Sequence, residues 1–326
     1  MKKVFKILGI LLLVILVAVA GLAAYVKFAL PDTGPAPDMK VEITPERVKR
    51  GEYLANTVMV CMDCHSTRNW NVFSAPPVPG TLGKGGEKFD QTMGFPGTYY
   101  SANITPAGIG NWTDGEIFRA ITTGVRKNGK PIFPVMPHHN YGKLDAEDIK
   151  SVIAYLRTIP AIENKVPESE SDFPMNFIIN TIPAKAQLTK MPSRSDTVAY
   201  GEYMITAASC GECHTPFDKG KLLMDQYMAG GRVFEMPAGT LTSMNLTPDP
   251  QTGIGNWSKE MFIQKFKLFR DSASHQKVDF MKEYNSIMPW IMYAGMTDED
   301  LGAIYTYLRT LKPMKNQVVR FKPRTP

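Results

Sequence analysis

The chain has 326 residues, 44% hydrophobic and 21% charged, with 37 basic against 31 acidic side chains. This is the composition of a globular protein, not a disordered one, and the length is long for one domain and comfortable for two. No nucleic-acid partner is read from the formal charge of +6.

Met1-Lys2-Lys3, with Lys6 close behind, precede an uncharged run of twenty residues from Ile7 to Val26. That length matches a transmembrane helix. The lysines before it predict an N-terminus in the cytoplasm and the bulk of the chain outside. Ala18-Val19-Ala20 resembles a signal-peptide cleavage site, yet the apolar run continues to Val26. An uncleaved anchor over residues 1–30 is therefore preferred to a cleaved signal peptide. Pro31-Asp32-Thr33-Gly34-Pro35-Ala36-Pro37 follows, and residues 31–43 read as a stiff, non-helical stalk.

Thr44-Pro45-Glu46 opens a helix, with proline at a tolerated first-turn position. Val48, Tyr53, Leu54 and Val58 give it an apolar stripe that leads to Cys61-Met62-Asp63-Cys64-His65. A Gly- and Pro-rich segment runs from Ser66 to Asn111, long enough to suggest that it wraps on something. Thr113-Asp114-Gly115-Glu116 is a capping box and starts a second helix. Asp145 to Thr158 forms a third, with Ile149, Val152, Ile153 and Leu156 on one face. Residues 161–194 carry four prolines but also Phe173, Phe177, Ile178 and Ile179, and predict a linker packed across what it joins. Helices are then expected over 196–209, 258–270 and 297–310, with Cys210-Gly211-Glu212-Cys213-His214 after the first of them. Residues 313–326 make a basic tail, read as solvated or as a guide for an acidic partner.

The second half repeats the first. Gly51-Glu52-Tyr53-Leu54 recurs as Gly201-Glu202-Tyr203-Met204, and Asn103-Ile104-Thr105-Pro106 as Asn245-Leu246-Thr247-Pro248. Gly108-Ile109-Gly110-Asn111-Trp112 recurs as Gly253-Ile254-Gly255-Asn256-Trp257, and Met136-Pro137 as Met288-Pro289. Ala154-Tyr155-Leu156-Arg157-Thr158 closes the first copy and Thr306-Tyr307-Leu308-Arg309-Thr310 the second. The order is the same throughout, so residues 44–160 and 195–312 read as duplicates of one mainly α module.

Both pentapeptides are C-x-x-C-H, the attachment site of c-type haem, and together they use all four cysteines. Two thiols three positions apart can each form a thioether to one porphyrin edge, and the adjacent histidine can turn under the ring to the iron. Zinc ribbons place their pairs about 15 to 20 residues apart, whereas Cys61 and Cys210 are 149 positions apart. A thioredoxin-like dithiol would need a βαβ context that is lacking here. The reading is two covalent haems, held by Cys61, Cys64, Cys210 and Cys213, with His65 and His214 as proximal ligands. Haem propionates would then offset part of the positive charge.

For the sixth ligand, Met136 and Met288 stand out because they occupy equivalent positions before a proline. Rivals are His138 or His139 in the first half and Met292 or Met296 in the second. Met–His ligation raises the haem potential and closes the iron, which suits one-electron relay. Gly51 and Gly201 are expected at a close crossing of first and last helices, against Tyr155 and Tyr307. Asn103, Asn245, Trp112 and Trp257 either bond propionates or fix loop geometry. Arg157 and Arg309 are read as lying on a solvated helix face in preference to bridging a propionate.

Taken together, the C-x-x-C-H motifs, the Asn-x-Thr-Pro to Gly-Ile-Gly-Asn-Trp block, Met-Pro and the closing Tyr-Leu-Arg-Thr helix resemble a known family over about residues 45–312. It is that of the cytochrome c subunits of bacterial membrane-bound alcohol, gluconate and aldehyde dehydrogenases. The resemblance implies two tandem class I cytochrome c domains, with His65/Met136 and His214/Met288 as axial pairs. It also implies electron transfer from a periplasmic dehydrogenase toward quinone or a terminal oxidase, at the bacterial inner membrane. The chain departs from the three haems usual in alcohol dehydrogenase cytochrome subunits. Competing readings are a dihaem enzyme of the peroxidase or thiosulfate dehydrogenase type, which needs an open iron, and a cytochrome subunit of a terminal oxidase complex.

Overall fold

The computed structural model describes residues 1–218, 220–271 and 275–324. It begins with α1 (Lys2–Phe28), whose apolar side chains are exposed along its whole length. At ~1.5 Å per residue its 27 residues exceed the ~30 Å of a bilayer core, so the helix is long and apolar enough to cross one.

The segment after it is not a free stalk. The Val41 N–H donates to the Asp114 carboxylate at 2.7 Å, and Met39 packs against the core. A Cβ on Gly115 would overlap the Pro37 carbonyl, so Gly115 is what lets the strand lie so close. Proline forbids helix here but does not prevent an extended strand from bonding outward to a neighbour.

The first half holds α2 (Pro45–Tyr53), α3 (Cys61–Cys64), α4 (Pro106–Ile109), α5 (Asp114–Thr123), α6 (His138–Tyr141) and α7 (Ala146–Thr158). Thr44 caps α2 with Pro45 in the first turn, and a single wide π turn, Leu54–Val58, extends it toward Cys61. The capping box on α5 is complete: Glu116 N–H donates to Thr113 Oγ1 at 3.1 Å, and Thr113 N–H to Glu116 Oε2 at 2.8 Å. A short helix α8 (Met175–Ile178) lies in the linker beside the end of α1. The second half holds α9 (Thr197–Ala207), α10 (Cys210–His214), α11 (Lys259–Lys267), α12 (Trp290–Tyr293) and α13 (Asp298–Thr310).

Helices α2 and α7 pack tightly in the first half, as α9 and α13 do in the second. The cause is a glycine in each pair. A Cβ on Gly51 would overlap the Ser151 carbonyl, and one on Gly201 the Ala303 carbonyl. Tyr155 and Tyr307 flank these crossings, their Cβ atoms 2.9 and 3.0 Å from the added one.

Small antiparallel sheets, not foreseen from sequence, fold the long loops. β1 (Lys88–Phe89) pairs β2 (Gly97–Tyr100), which pairs β3 (Glu170–Ser171) from the linker. β4 (Phe217–Asp218) pairs β5 (Lys221–Leu222). β6 (Val233–Met236) pairs β7 (Gly239–Thr242), which pairs β8 (Phe321–Pro323) with Leu241 opposite Phe321. The basic tail is therefore partly a strand. The linker also reaches the second half, through the Arg194–Glu299 ion pair at 2.6 Å.

The two halves share one core, in which Leu54, Met62, Ile149 and Ile153 join Tyr200, Met204, Ile205 and Leu301. Their contact is reciprocal. Tyr53 of the first half donates to Asp300 of the second, and its hydroxyl accepts from Thr297 N–H at 3.1 Å. Tyr203 donates back to Asp148 at 2.7 Å and accepts from Asp145 N–H at 3.1 Å. Tyr53 and Tyr203 are repeat equivalents, and Asp145 and Thr297 are the N-caps of α7 and α13. The halves are thus related by an approximate two-fold exchange.

Candidate haem-binding cavity

Each C-x-x-C-H motif begins where the chain leaves its first helix through a left-handed residue. Val60 has φ 46° and Ser209 φ 53°, both non-glycine. Such a conformation costs about 1–3 kcal/mol and persists only where the surroundings enforce it. Tyr141 and Tyr293 are part of that enforcement: their hydroxyls donate to the carbonyls of Met59 at 3.0 Å and Ala208 at 2.9 Å.

The histidines that follow are held alike. His65 Nδ1 bonds the Ala102 carbonyl at 2.6 Å, and His214 Nδ1 the Met244 carbonyl at 2.8 Å. With Nδ1 donating to a carbonyl, Nε2 is the acceptor nitrogen and the one suited to iron, as for most metal-ligating histidines. Burial holds both imidazoles below the usual histidine range, so they are neutral near pH 7. The loop closes over each histidine at a glycine: Gly85 N–H donates to His65 O at 2.9 Å and Gly230 N–H to His214 O at 2.8 Å. Both glycines have φ +71°, and a Cβ on either would strike the neighbouring strand.

One cavity of about 1860 Å³, predominantly apolar, runs through both halves. Cys61, Cys64, His65 and Met136 line it, and so do Cys210, Cys213, His214 and Met288. The structure therefore brings together every residue singled out for thioether and axial roles. Of the rivals for the sixth position, His139 and Met296 also line the cavity, but His139 Nε2 is engaged by Glu212 at 2.7 Å. His138 is turned into the protein, its ring packed under Gly124. Burial pushes the thiols of Cys61, Cys64 and Cys210 up to about 12, so with nothing bound they are protonated near pH 7. Among the described residues no group of three or more His, Cys, Asp or Glu is placed to hold a metal ion. The donor set fits a covalent haem in each half: paired thiols, a carbonyl-oriented imidazole and a thioether on one apolar space.

One sequence expectation changes. Arg157 does not lie on a solvated face. It donates to the carbonyls of Ile109 at 3.0 Å and Trp112, and to Asp114 at 2.8 Å. Arg309 is exposed, as expected, and its guanidinium also binds the carbonyl of Gly255 at 2.7 Å. Both tie the closing helix to the Gly-Ile-Gly-Asn-Trp turn, whose orphan carbonyls need donors. Asn103 and Asn245 fix loops: Asn103 Nδ2 donates to Ile162 O at 2.8 Å and Asn245 Nδ2 to Met314 O at 2.7 Å. Trp112 and Trp257 line the cavity. The cationic side chains on the cavity wall are instead Arg68, Arg126, Lys130, Arg232, Lys265 and Arg320, none of which the sequence marks as cavity-lining. Burial pushes the Arg126 guanidinium down, with Glu168 as the opposing charge. Their signal in the sequence is weak, because none falls in a repeated motif.

Residues 198–312 match the model of the cytochrome c family, and this part of the chain is a cytochrome c domain, which implies covalently bound haem c. The chain is similar to the fructose dehydrogenase cytochrome subunit of Gluconobacter japonicus, 30% identical over 284 residues, covering 81% of this chain and 52% of that one. It is 27% identical over 281 residues to the cytochrome c subunit of alcohol dehydrogenase (quinone) from Gluconobacter oxydans (strain 621H), covering 81% and 54%. A diheme cytochrome c-type of Cereibacter sphaeroides is 28% identical over 264 residues, covering 76% and 81%. The chain thus contains a cytochrome c domain and is similar over most of its length to the cytochrome c subunits of dehydrogenases. It spans about half the length of the dehydrogenase subunits it matches.

Proposed function

We propose that the chain is a membrane-anchored dihaem relay of two tandem class I cytochrome c domains, residues 44–160 and 195–312. Cys61 and Cys64 would hold one haem between His65 and Met136, and Cys210 and Cys213 the other between His214 and Met288. The observation that carries this is the single cavity lined by all eight of those residues. A haem c bound in each half supplies one-electron chemistry, and a filled axial pair leaves the iron closed to oxygen and peroxide. The protein's part is to fix both imidazoles through Ala102 and Met244 and to exclude water with apolar walls. Helix α1 would hold the protein in the bacterial inner membrane, and Lys2, Lys3 and Lys6 support a periplasmic position for the rest. Donation from a periplasmic dehydrogenase toward the respiratory chain is supported by the similarity to cytochrome subunits of fructose, alcohol and gluconate dehydrogenases.

The test is the full chain matured with haem c in a bacterial host, its haem content counted against protein. Two haems per chain, with a reduced spectrum unmoved by carbon monoxide, is the expected result. One haem per chain, or a carbon monoxide shift in either, would sink the closed two-site relay.

A further inference from the structure

The Met288 loop is held by the other half of the molecule. Ser74 Oγ donates to the Met288 carbonyl at 2.7 Å and accepts from Trp290 N–H at 2.8 Å. Ser74 N–H donates to Asn285 Oδ1 at 2.8 Å, and Asn285 Nδ2 returns to the carbonyls of Trp70 at 2.8 Å and Val72 at 3.2 Å. Phe73 N–H to Gln276 O at 2.8 Å and Val278 N–H to Asn71 O at 3.0 Å continue the pairing. Trp70 stacks on Phe280 with ring centroids 4.8 Å apart.

This contact is strained and buried. Ser74 and Ala75 both lie in the left-handed region, at φ 65° and 44°, and neither is glycine. Ser74 is 4% exposed and Asn285 4% exposed. Two successive strained residues persist only if something over-determines them, and the hydrogen bonds to Asn285, Met288 and Trp290 do so. The equivalent loop of the first half is held differently: among the described residues the backbone hydrogen bonds of 132–137 stay within the first half, and the second half reaches it beyond the methionine, where Glu212 meets His139 at 2.7 Å and Asn140 at 3.2 Å.

We infer that Ser74 and Asn285 are positioning residues for the second iron, so that the first half sets how firmly Met288 is held on it. This rests on Met288 being the sixth ligand of the second haem. A thioether is neutral and binds without charge attraction, so its residence on iron depends on the loop that carries it. Ser74→Ala keeps the strained backbone and removes the hydroxyl that grips the Met288 carbonyl.

The experiment uses the full-length holoprotein. The far-red methionine-to-iron charge-transfer band of the oxidised form, carbon monoxide binding by the reduced form, and a redox titration are read for wild type, Met288→His, Ser74→Ala and Phe280→Ala. Met288→His should remove about half the band, one haem of two, and so identify the second haem's component. Ser74→Ala should weaken that same component, lower its midpoint potential and open it to carbon monoxide, leaving the other component in place. Phe280→Ala, which removes the aromatic stack but no hydrogen bond to the loop, should act in the same direction and less; it also serves if Ser74→Ala does not fold. A Met288→His variant with an unchanged spectrum would remove the ligand assignment and the inference with it. If Met288→His acts but a folded Ser74→Ala or Phe280→Ala leaves the second component untouched, or moves both components equally, the positioning role is wrong while the ligand assignment stands.

Discussion

The two halves are copies in their motifs but not in what holds their loops. In the first, the loop over the histidine is closed by the linker, through β3 and Ile162, and the methionine loop by its own residues around Gly124 and His138. In the second, the same closing role falls to the tail, through β8 and Met314, and the methionine loop is clasped by Ser74 from the first half. The motifs that recur in both halves include the parts that face the cavity. The parts that close it were supplied by whatever chain lay nearest, so the second half's methionine loop leans on the first half at Met288 and Trp290 themselves, while the first half's is met by Glu212 only beyond its methionine, at His139 and Asn140.

The largest effect follows from the thiols. Replacing Cys61 and Cys64 together, or Cys210 and Cys213 together, by alanine should leave one covalent haem per chain, read by mass and haem stain. The comparison predicts a difference: losing the first haem should disturb the second half's spectrum through the clasp, while losing the second should leave the first nearly intact. Equal disturbance in both directions would mean that the halves depend on each other alike.

Next come the glycine crossings. Gly51→Ala and Gly201→Ala would each drive a methyl group into a carbonyl of the facing helix. Overpacking of this kind costs about 3 kcal/mol, measured by denaturant unfolding of the holoprotein. Because the crossings are near copies, the two losses should match; a clear inequality would show that one helix pair has room to shift.

The reciprocal tyrosines give a smaller effect. Tyr53→Phe and Tyr203→Phe each remove a hydrogen bond to a buried carboxylate, worth about 1.5–3 kcal/mol. Tyr53→Phe leaves Asp300 with Tyr200 at 2.7 Å and a more distant Arg194 at 3.6 Å, and Tyr203→Phe leaves Asp148 with Arg50 in a closer, two-bond pair at 2.8 Å. Arg50 is the stronger remaining partner, so the second variant should lose less. Equal losses would show that the exchange across the interface outweighs the local neighbours.

Much of this was legible in the sequence, for identifiable reasons. Helix starts carry local signals, and Thr113, Asp145 and Thr297 all cap where their residue types suggest. Gly51 and Gly201 were readable because a glycine repeated at the same place inside two equivalent helices has few other uses. What stayed hidden depends on partners far along the chain. Tyr53 meets a residue 247 positions away and Ser74 one 214 away, and no pattern in either neighbourhood marks the meeting. Arg157 was misread because a single charge on an amphipathic helix resembles a solvated one until the turn it grips is in place, whereas its counterpart Arg309 is indeed exposed. The strap at residues 37–41 was misread for a related reason: proline content reports stiffness, not what an extended segment lies against.

The smallest effect separates the halves at one helix end. Glu116 completes a capping box on α5, whereas the corresponding α11 is capped by Ser258 with Met261 in the glutamate's place. Burial pushes the Glu116 carboxyl up, but donation from Thr113 N–H and from Lys127 outweighs it and holds the group below the ordinary 4.5. A depressed carboxyl stabilises the fold above its ordinary value, and that contribution is lost as pH falls through the lower folded value. The group is near the surface and screened, so the loss should be less than about 1 kcal/mol. On acidification below pH 4.5, the Thr113 amide resonance should move with the titration of Glu116, and in Glu116→Gln that movement should vanish. The Ser258 amide should move instead with Glu260, whose own carboxyl is lowered by hydrogen bonds to its backbone and to Ser258, and that movement should persist in Glu116→Gln. A Ser258 step that vanishes in Glu116→Gln would mean that the two helix starts respond to a shared change in the fold, and the halves would not differ at this end of the module.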